Sequence, residues 1–435
     1  MEAEAHWNTL PEQLLDLAKQ AGAEAAEVFQ SSSSAYPVFF EANRLKQLES
    51  NNLEGTALRL WRAGRPGIAV AYGSITPQAL VDKAVAISQL NESEAIELSP
   101  GRAQQFPDVG QAVAVSQMID WGKTAIALIR DRYPEVICEA ELECDTETTR
   151  FVNSLGLDYG YSDTTLSGYL GVEWIRGDDF LTVGDGQVNR DALFPEALAQ
   201  QVLKRLEWAE QNVEPIVGRA PVLFTAKAAD ILWGTVQAAL SGKRVLEGSS
   251  PWSDRLGEQV TSSALTFYQD PDAGPFSCPF DDEGTTTQKL ILIDQGILRL
   301  FYTDRTVGKE LGEGSTGNGF RPGLGSAPTP GLFNTLIQPG ASTFVELMRQ
   351  LDDAIVIDQI LGETAGVSGD FSINIDLGYR VVDGEIRGRV KDTMVSGNVY
   401  TALMHLQAIG QDADWNGACF TPAVLLDQLS VTGAR

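Results

Sequence analysis

In Gly378-Tyr379-Arg380-Val381-Val382-Asp383-Gly384-Glu385-Ile386-Arg387-Gly388-Arg389-Val390, two extended runs flank Asp383-Gly384, a pair suited to the positive φ angles of a two-residue hairpin turn. The same pattern recurs upstream, where Lys289–Ile293 and Ile297–Tyr302 flank Asp294-Gln295-Gly296. These hairpins predict an antiparallel, β-rich C-terminal domain over residues 216–435, punctuated by glycine. No period of about 20–50 residues runs through the chain, which disfavours solenoids and propellers.

Working outward, residues 106–215 read as a middle α+β domain. A helix from Val115 to Arg130 precedes a meander of extended segments: Glu135–Cys144, Thr149–Leu155, Thr165–Ile175 and Phe180–Val183, with Gly177-Asp178-Asp179 as a turn. Pro195 opens a second helix whose Leu198, Val202, Leu203 and Leu206 share one face. Residues 1–105 form an N-terminal α/β domain. Thr9-Leu10-Pro11-Glu12 has the form of a capping box and predicts a helix start, with Gly22 as its C-cap. Strands follow at Glu27–Phe29, Val38–Glu41, Thr56–Trp61 and Ile68–Tyr72, the last two joined by Gly64-Arg65-Pro66-Gly67. Thr76-Pro77 then begins a second helix. Residues 97–113, with Ser99-Pro100-Gly101 and Pro107, read as a linker. The fold class is α+β.

The 435 residues are enough for two or three domains of roughly 100–200 residues each. A net charge of −27 without a basic cluster disfavours nucleic acid and anionic membrane surfaces as partners. No run reaches the roughly 18 apolar residues of a membrane-spanning helix. The N-terminus, Met1-Glu2-Ala3-Glu4-Ala5-His6, has neither the basic nor the apolar part of a secretory signal, and a cytoplasmic location is expected. Cys138, Cys144, Cys278 and Cys419 are too scattered for a disulfide framework and read as free thiols. Cys138, Ala140, Leu142 and Cys144 alternate with Glu139, Glu141 and Glu143. On a strand that spacing puts the two sulfurs on one face about 20 Å apart, beyond disulfide reach, and the glutamates on a solvated face.

Catalytic constellations are sparse. Metal hydrolases generally take imidazole ligands from a helix, and the chain has only His6 and His405, at opposite ends of the sequence. A histidine-ligated zinc site of its own is therefore not expected. Ser-His-Asp and Cys-His arrangements lack a histidine near a nucleophile for the same reason. Cys419, in Asn416-Gly417-Ala418-Cys419-Phe420, is the one cysteine in a turn-like setting; it reads as an inert thiol, with a cleft-facing nucleophile as the other reading. Gly312-Glu313-Gly314-Ser315-Thr316-Gly317 matches a dinucleotide loop, yet Pro322, Pro328 and Pro330 follow where a helix should begin. Gly122-Lys123-Thr124 mimics the end of a phosphate loop, but Gln117 replaces its first glycine. Asp281-Asp282-Glu283 could contribute to a hard-cation site and is expected to be a solvated turn.

Several C-terminal segments carry a wider likeness: Pro279-Phe280-Asp281-Asp282-Glu283-Gly284, Ser315-Thr316-Gly317-Asn318, Gly366-Val367-Ser368-Gly369-Asp370, Gly378-Tyr379 with Asp383-Gly384-Glu385-Ile386, and Val395-Ser396-Gly397-Asn398. With Ala25-Ala26-Glu27-Val28 and Gly55-Thr56-Ala57-Leu58-Arg59 near the start, the sequence resembles the TldD/PmbA family, also called modulators of DNA gyrase. In that family the TldD type carries a His-Glu-x-x-x-His helix that binds zinc with a later cysteine, whereas the PmbA or TldE type lacks it. Here the corresponding helix is expected over residues 228–241, with Gly234, Thr235 and Ala239 where the histidines and glutamate would stand. Cys419 matches the late cysteine, and alone it cannot hold zinc. The resemblance thus implies a metal-free subunit that forms a heterodimer with a TldD-type metallopeptidase subunit, the partner supplying zinc. Proteolysis or maturation of extended, unfolded peptides is the implied activity, a peptide being able to add as a strand to a sheet edge. The alternative is a homodimeric peptide-binding module without enzymatic activity. The gyrase name finds no support in the charge of the chain.

Overall fold

The computed structural model describes residues 2–362 and 365–433, with side chains from Trp7 onward. The side chain of His6 lies outside the described residues. Two sheets dominate.

In the first, a nine-stranded sheet, Ile137–Asn153 is the spine. Its first half pairs with Val38–Glu41, its second half with Ala25–Ala35, and its other edge with Asp158–Arg176, which pairs in turn with Asp179–Asn189. The expected boundary near residue 105 therefore falls inside one continuous sheet. The alternation read around Cys138 is what makes the spine. Cys138, Ala140, Leu142 and Cys144 are buried, while Glu139 and Glu141 are exposed. Helices Glu2–Gln20 and Pro77–Ser88 close a core at one end of this sheet. Helices Val115–Arg132 and Pro195–Trp208 cover the other.

In the second sheet, five strands close into a ring: Gly218–Phe224, Asp353–Leu361, Asp370–Val382, Thr393–Asn398 and Cys419–Gly433. The last of these pairs with both Thr393–Asn398 and Gly218–Phe224, so the ring has no free edge. Alternate ring residues serve two cores, because successive strand side chains point to opposite faces. Val222, Ile355, Ile357, Val424 and Leu426 pack with Leu232, Trp233 and Val236 of helix Ala226–Leu240. Leu223, Val356, Tyr379 and Leu425 share a core with Leu198, Val202 and Leu206 of helix Pro195–Trp208. The second core joins the two sheets.

Several elements differ from the sequence expectation, each for a local reason. The first helix runs through Thr9 with Pro11 inside it rather than starting there. The turn before Ile68 sits at Ala63 and Gly64, both at positive φ, and the strand already begins at Arg65. Glu135–Cys144 and Thr149–Leu155 fuse into one strand, since the intervening polar residues pair across to 162–165. The Asp383-Gly384 turn takes φ 52 and 78, as its sequence demands. Gly122-Lys123-Thr124 lies within helix Val115–Arg132. Among the described residues, no helix is long and apolar enough to cross a membrane.

Candidate functional site

Helix Ala226–Leu240 begins where Thr225 caps it, the Thr225 hydroxyl accepting from the Ala228 N–H. Of the three positions singled out on it, only Gly234 is exposed. Thr235 is fully buried, and its hydroxyl donates to the Ala365 carbonyl at 2.9 Å. Ala239 is buried among Leu232, Trp233 and Leu240. The helix therefore does not turn these three positions toward one cavity, and none of them offers a metal donor. Cys419, at the start of the ring strand, is buried against Asp230 of the same helix and against Thr335. Burial pushes its thiol up to about 12, so it is a protonated, poorly nucleophilic group at neutral pH. His405 sits at the exposed C-terminal end of helix Val399–Met404. Among the described residues, no three His, Cys, Asp or Glu side chains converge in a metal-holding group. The residues at this position do not fit a zinc ion.

The acidic run is not the solvated turn its composition suggests. Asp281 is fully buried. Its carboxylate accepts from the backbone N–H groups of Glu283, Thr285 and Gly319 at 3.1, 2.8 and 2.9 Å. Asp282 accepts from the Arg321 N–H and Glu283 from the Arg305 N–H. Arg321 then reaches across to Glu27 of the first sheet at 2.9 Å. The Ser99 hydroxyl donates to the Glu283 carbonyl, so the segment 97–113 is tied to the C-terminal region rather than free. Desolvation raises Asp281 and Asp282 to about 6 and Glu283 to about 8, despite the donors that favour their charged forms. The run is an interface element between the first sheet and the C-terminal region.

A ligand-sized concavity lies elsewhere. A cleft of about 590 Å³ opens where helix Pro195–Trp208, strand Asp179–Asn189, the N-terminus of helix Ala226–Leu240 and strand Leu406–Asn416 meet. Arg205 stands in it, donating to Asp358 at 2.8 Å and Asp185 at 2.6 Å, and is neutralised by them. Lys227, in the first turn of helix Ala226–Leu240, donates to the Gly184 carbonyl. Lys204 lies 4.7 Å from the Trp208 ring centre. Desolvation lowers both lysines from their ordinary range and raises Asp414 on the opposite wall. This half-enclosed mixture of charge, aromatic faces and sheet edges has the character of a ligand site. The sequence reading passed over it. Gln201, Lys204, Arg205 and Trp208 recur at helical spacing opposite the apolar face of their helix, and that polar stripe was the available signal.

Family models place the chain among known proteins. Residues 217–433 match the PmbA/TldA metallopeptidase C-terminal domain and residues 26–88 match PmbA/TldA metallopeptidase domain 1, together nearly two thirds of the sequence. The chain belongs to the PmbA/TldD family. Relatives in that family include the metalloprotease PmbA of Escherichia coli O157:H7, 24% identical over 94% of this chain and 92% of the relative. A PmbA homologue from Haemophilus influenzae is 25% identical over 96% and 94%. In fold, the chain is similar to the crystal structure of TldE from Thermococcus kodakarensis, with a TM-score of 0.91, 22% identity, and coverage of 98% of this chain and 100% of that one.

Proposed function

We propose that this chain is the metal-free, TldE-type subunit of a zinc metallopeptidase complex that degrades or matures unfolded peptides, in the cytoplasm. It pairs with a TldD-type chain, and the partner supplies the zinc. What supports the reading is helix Ala226–Leu240: a glycine, a buried threonine and a buried alanine stand at the positions that the resemblance assigns to the family's zinc motif, and the nearby Cys419 is a shielded thiol hydrogen-bonded to Asp230. A zinc site needs three or four converging donors, with imidazole or thiolate foremost, and this set does not supply them. The contribution of the chain is then structural: to complete the assembly around the partner's metal and to hold substrate.

The test is co-expression with a TldD-type chain. Peptide hydrolysis and tightly bound zinc should require the partner, and the rate should rise when this chain is added. Activity and zinc content that are indifferent to its presence would overturn the reading. Native mass spectrometry separates it from a homodimeric binding module, which would show self-association alone.

A further inference from the structure

The cleft beside helix Pro195–Trp208 carries a charge pattern that the subunit reading does not use. Five carboxylates line it against three cations, Lys204, Arg205 and Lys227. Arg205 is held between Asp185 and Asp358, and the Lys227 ammonium donates to the Gly184 carbonyl. Among the described residues, the other three carboxylates, Glu141, Asp412 and Asp414, have no ion-pair partner. Asp412 and Asp414 accept only from backbone, from the Phe344 and Trp415 N–H groups at 2.9 Å each. The lining is thus net negative by two charges, in a chain whose own net charge is −27. Such a field draws small cations in and turns polyanions away.

Aromatic faces stand beside these carboxylates in two places. Trp208 and Phe344 stack with ring centres 6.0 Å apart and planes tilted by 23°. Phe344 is also the residue whose N–H Asp412 accepts, so that carboxylate lies at the rim of the aromatic pair. On the sheet side of the cleft, Tyr169 stands directly opposite Glu141 in the pairing of Ile137–Asn153 with Asp158–Arg176, which puts both side chains on one face. An aromatic face with a carboxylate next to it suits an organic ammonium, attracted by the ring on one side and by the charge on the other. The first of the two places already holds an ammonium. Lys204 extends over it, 4.7 Å from the Trp208 ring centre and 5.7 Å from that of Phe344. Among the described residues Lys204 makes no ion pair, and its four-carbon stem is flexible enough to release the rings to another cation.

We propose that the cleft binds a small linear organic dication, a diamine or polyamine. One ammonium takes the Trp208–Phe344 faces beside Asp412, another lies beside Tyr169 and Glu141, and the aliphatic chain between them passes Asp414. Lys204 is then a tethered competitor that the ligand displaces. The volume of about 590 Å³ is that of a small-molecule site. A bare divalent metal finds no converging group of three His, Cys, Asp or Glu side chains among the described residues. The site goes beyond the subunit assignment, because it needs no zinc, no partner chain and no peptide.

The experiment is isothermal titration calorimetry on the purified full chain at about 0.15 M salt, where attraction between distant exposed charges is screened. Spermidine is the probe, with butylamine and magnesium chloride as controls. Saturable binding of spermidine, at least tenfold tighter than either control, is the expected result. Asp412→Asn should weaken it at least tenfold, and Lys204→Gln should tighten it at least threefold by removing the competitor. Lys83→Gln, at an exposed position of helix Pro77–Ser88, removes the same charge far from the cleft and should leave binding unchanged. No saturable binding, magnesium binding as tight as that of spermidine, or a Lys204→Gln chain that binds no more tightly than the unsubstituted one would overturn the proposal. Lys204→Gln carries the test if Asp412→Asn fails to fold. Spermidine binding can fail while partner-dependent hydrolysis stands, so this site and the subunit assignment fall separately.

Discussion

Arg321→Ala should loosen the junction between the first sheet and the C-terminal region. Arg321 is 3% exposed and Glu27 6%, and their contact at 2.9 Å joins the strand Ala25–Ala35 to a loop nearly 300 residues later. The guanidinium also donates to the Ser326 carbonyl at 2.8 Å and lies 5.5 Å from the Phe29 ring centre. Truncation leaves a carboxylate buried with only Arg59 nearby, at 3.7 Å. Breaking a buried pair from one side typically costs about 3–5 kcal/mol; with Arg59 still in reach, the lower end of that range is expected. Urea unfolding of Arg321→Ala, Glu27→Gln and the double variant measures it. The double variant should be less destabilised than the sum of the singles by about 0.5–3 kcal/mol, the range for side chains in direct contact. A loss below about 0.5 kcal/mol for Arg321→Ala, or strict additivity, would refute the idea that this pair holds the junction.

The acidic run gives stability a definite pH dependence. A carboxyl whose folded pKa lies above its unfolded value of about 4 binds more protons when folded, so stability falls as pH rises through that window. With Asp281 and Asp282 at about 6 and Glu283 at about 8, unfolding free energy should decline between pH 5 and pH 8. Asp281 alone accounts for about 3 kcal/mol, at roughly 1.4 kcal/mol per pKa unit, lost between about pH 4 and pH 6; melting temperatures from about pH 4 to pH 8 check it, and in Asp281→Asn the slope should flatten. Cys419, with its thiol near 12, should react with iodoacetamide far more slowly than a free cysteine until the protein is unfolded. Grafting Gly234→His, Thr235→Glu and Ala239→His should destabilise the fold without creating a zinc site, because two of the three positions are fully buried; a calorimetric zinc titration and a thermal melt decide it.

Local chemistry was legible in the sequence, and long-range pairing was not. Asp383-Gly384 specifies its turn because only a few residue pairs accept two positive φ angles. The alternation through Cys138 and Cys144 specifies a half-buried strand whichever neighbours it has. Nothing local says that Ala25–Ala35 will pair with Asp145–Asn153, more than 100 residues away, and so the first two regions read as separate domains although one sheet runs through both. Asp281-Asp282-Glu283 misled because acidic runs are usually solvated. Its burial depends on Gly319, Arg321 and Arg305, donors that come together only in the fold. The cleft was missed for the same reason: Asp185, Lys204, Lys227 and Asp414 come from four elements, and each alone looks like an ordinary surface charge.

The central claim is that this chain supplies no zinc chemistry of its own, and elemental analysis of the purified chain, paired with a peptide-hydrolysis assay with and without a chelator, tests it most directly. The account predicts substoichiometric zinc and no chelator-sensitive cleavage until a TldD-type chain is present. One zinc per chain in partner-free protein, with cleavage that a chelator abolishes, would contradict it.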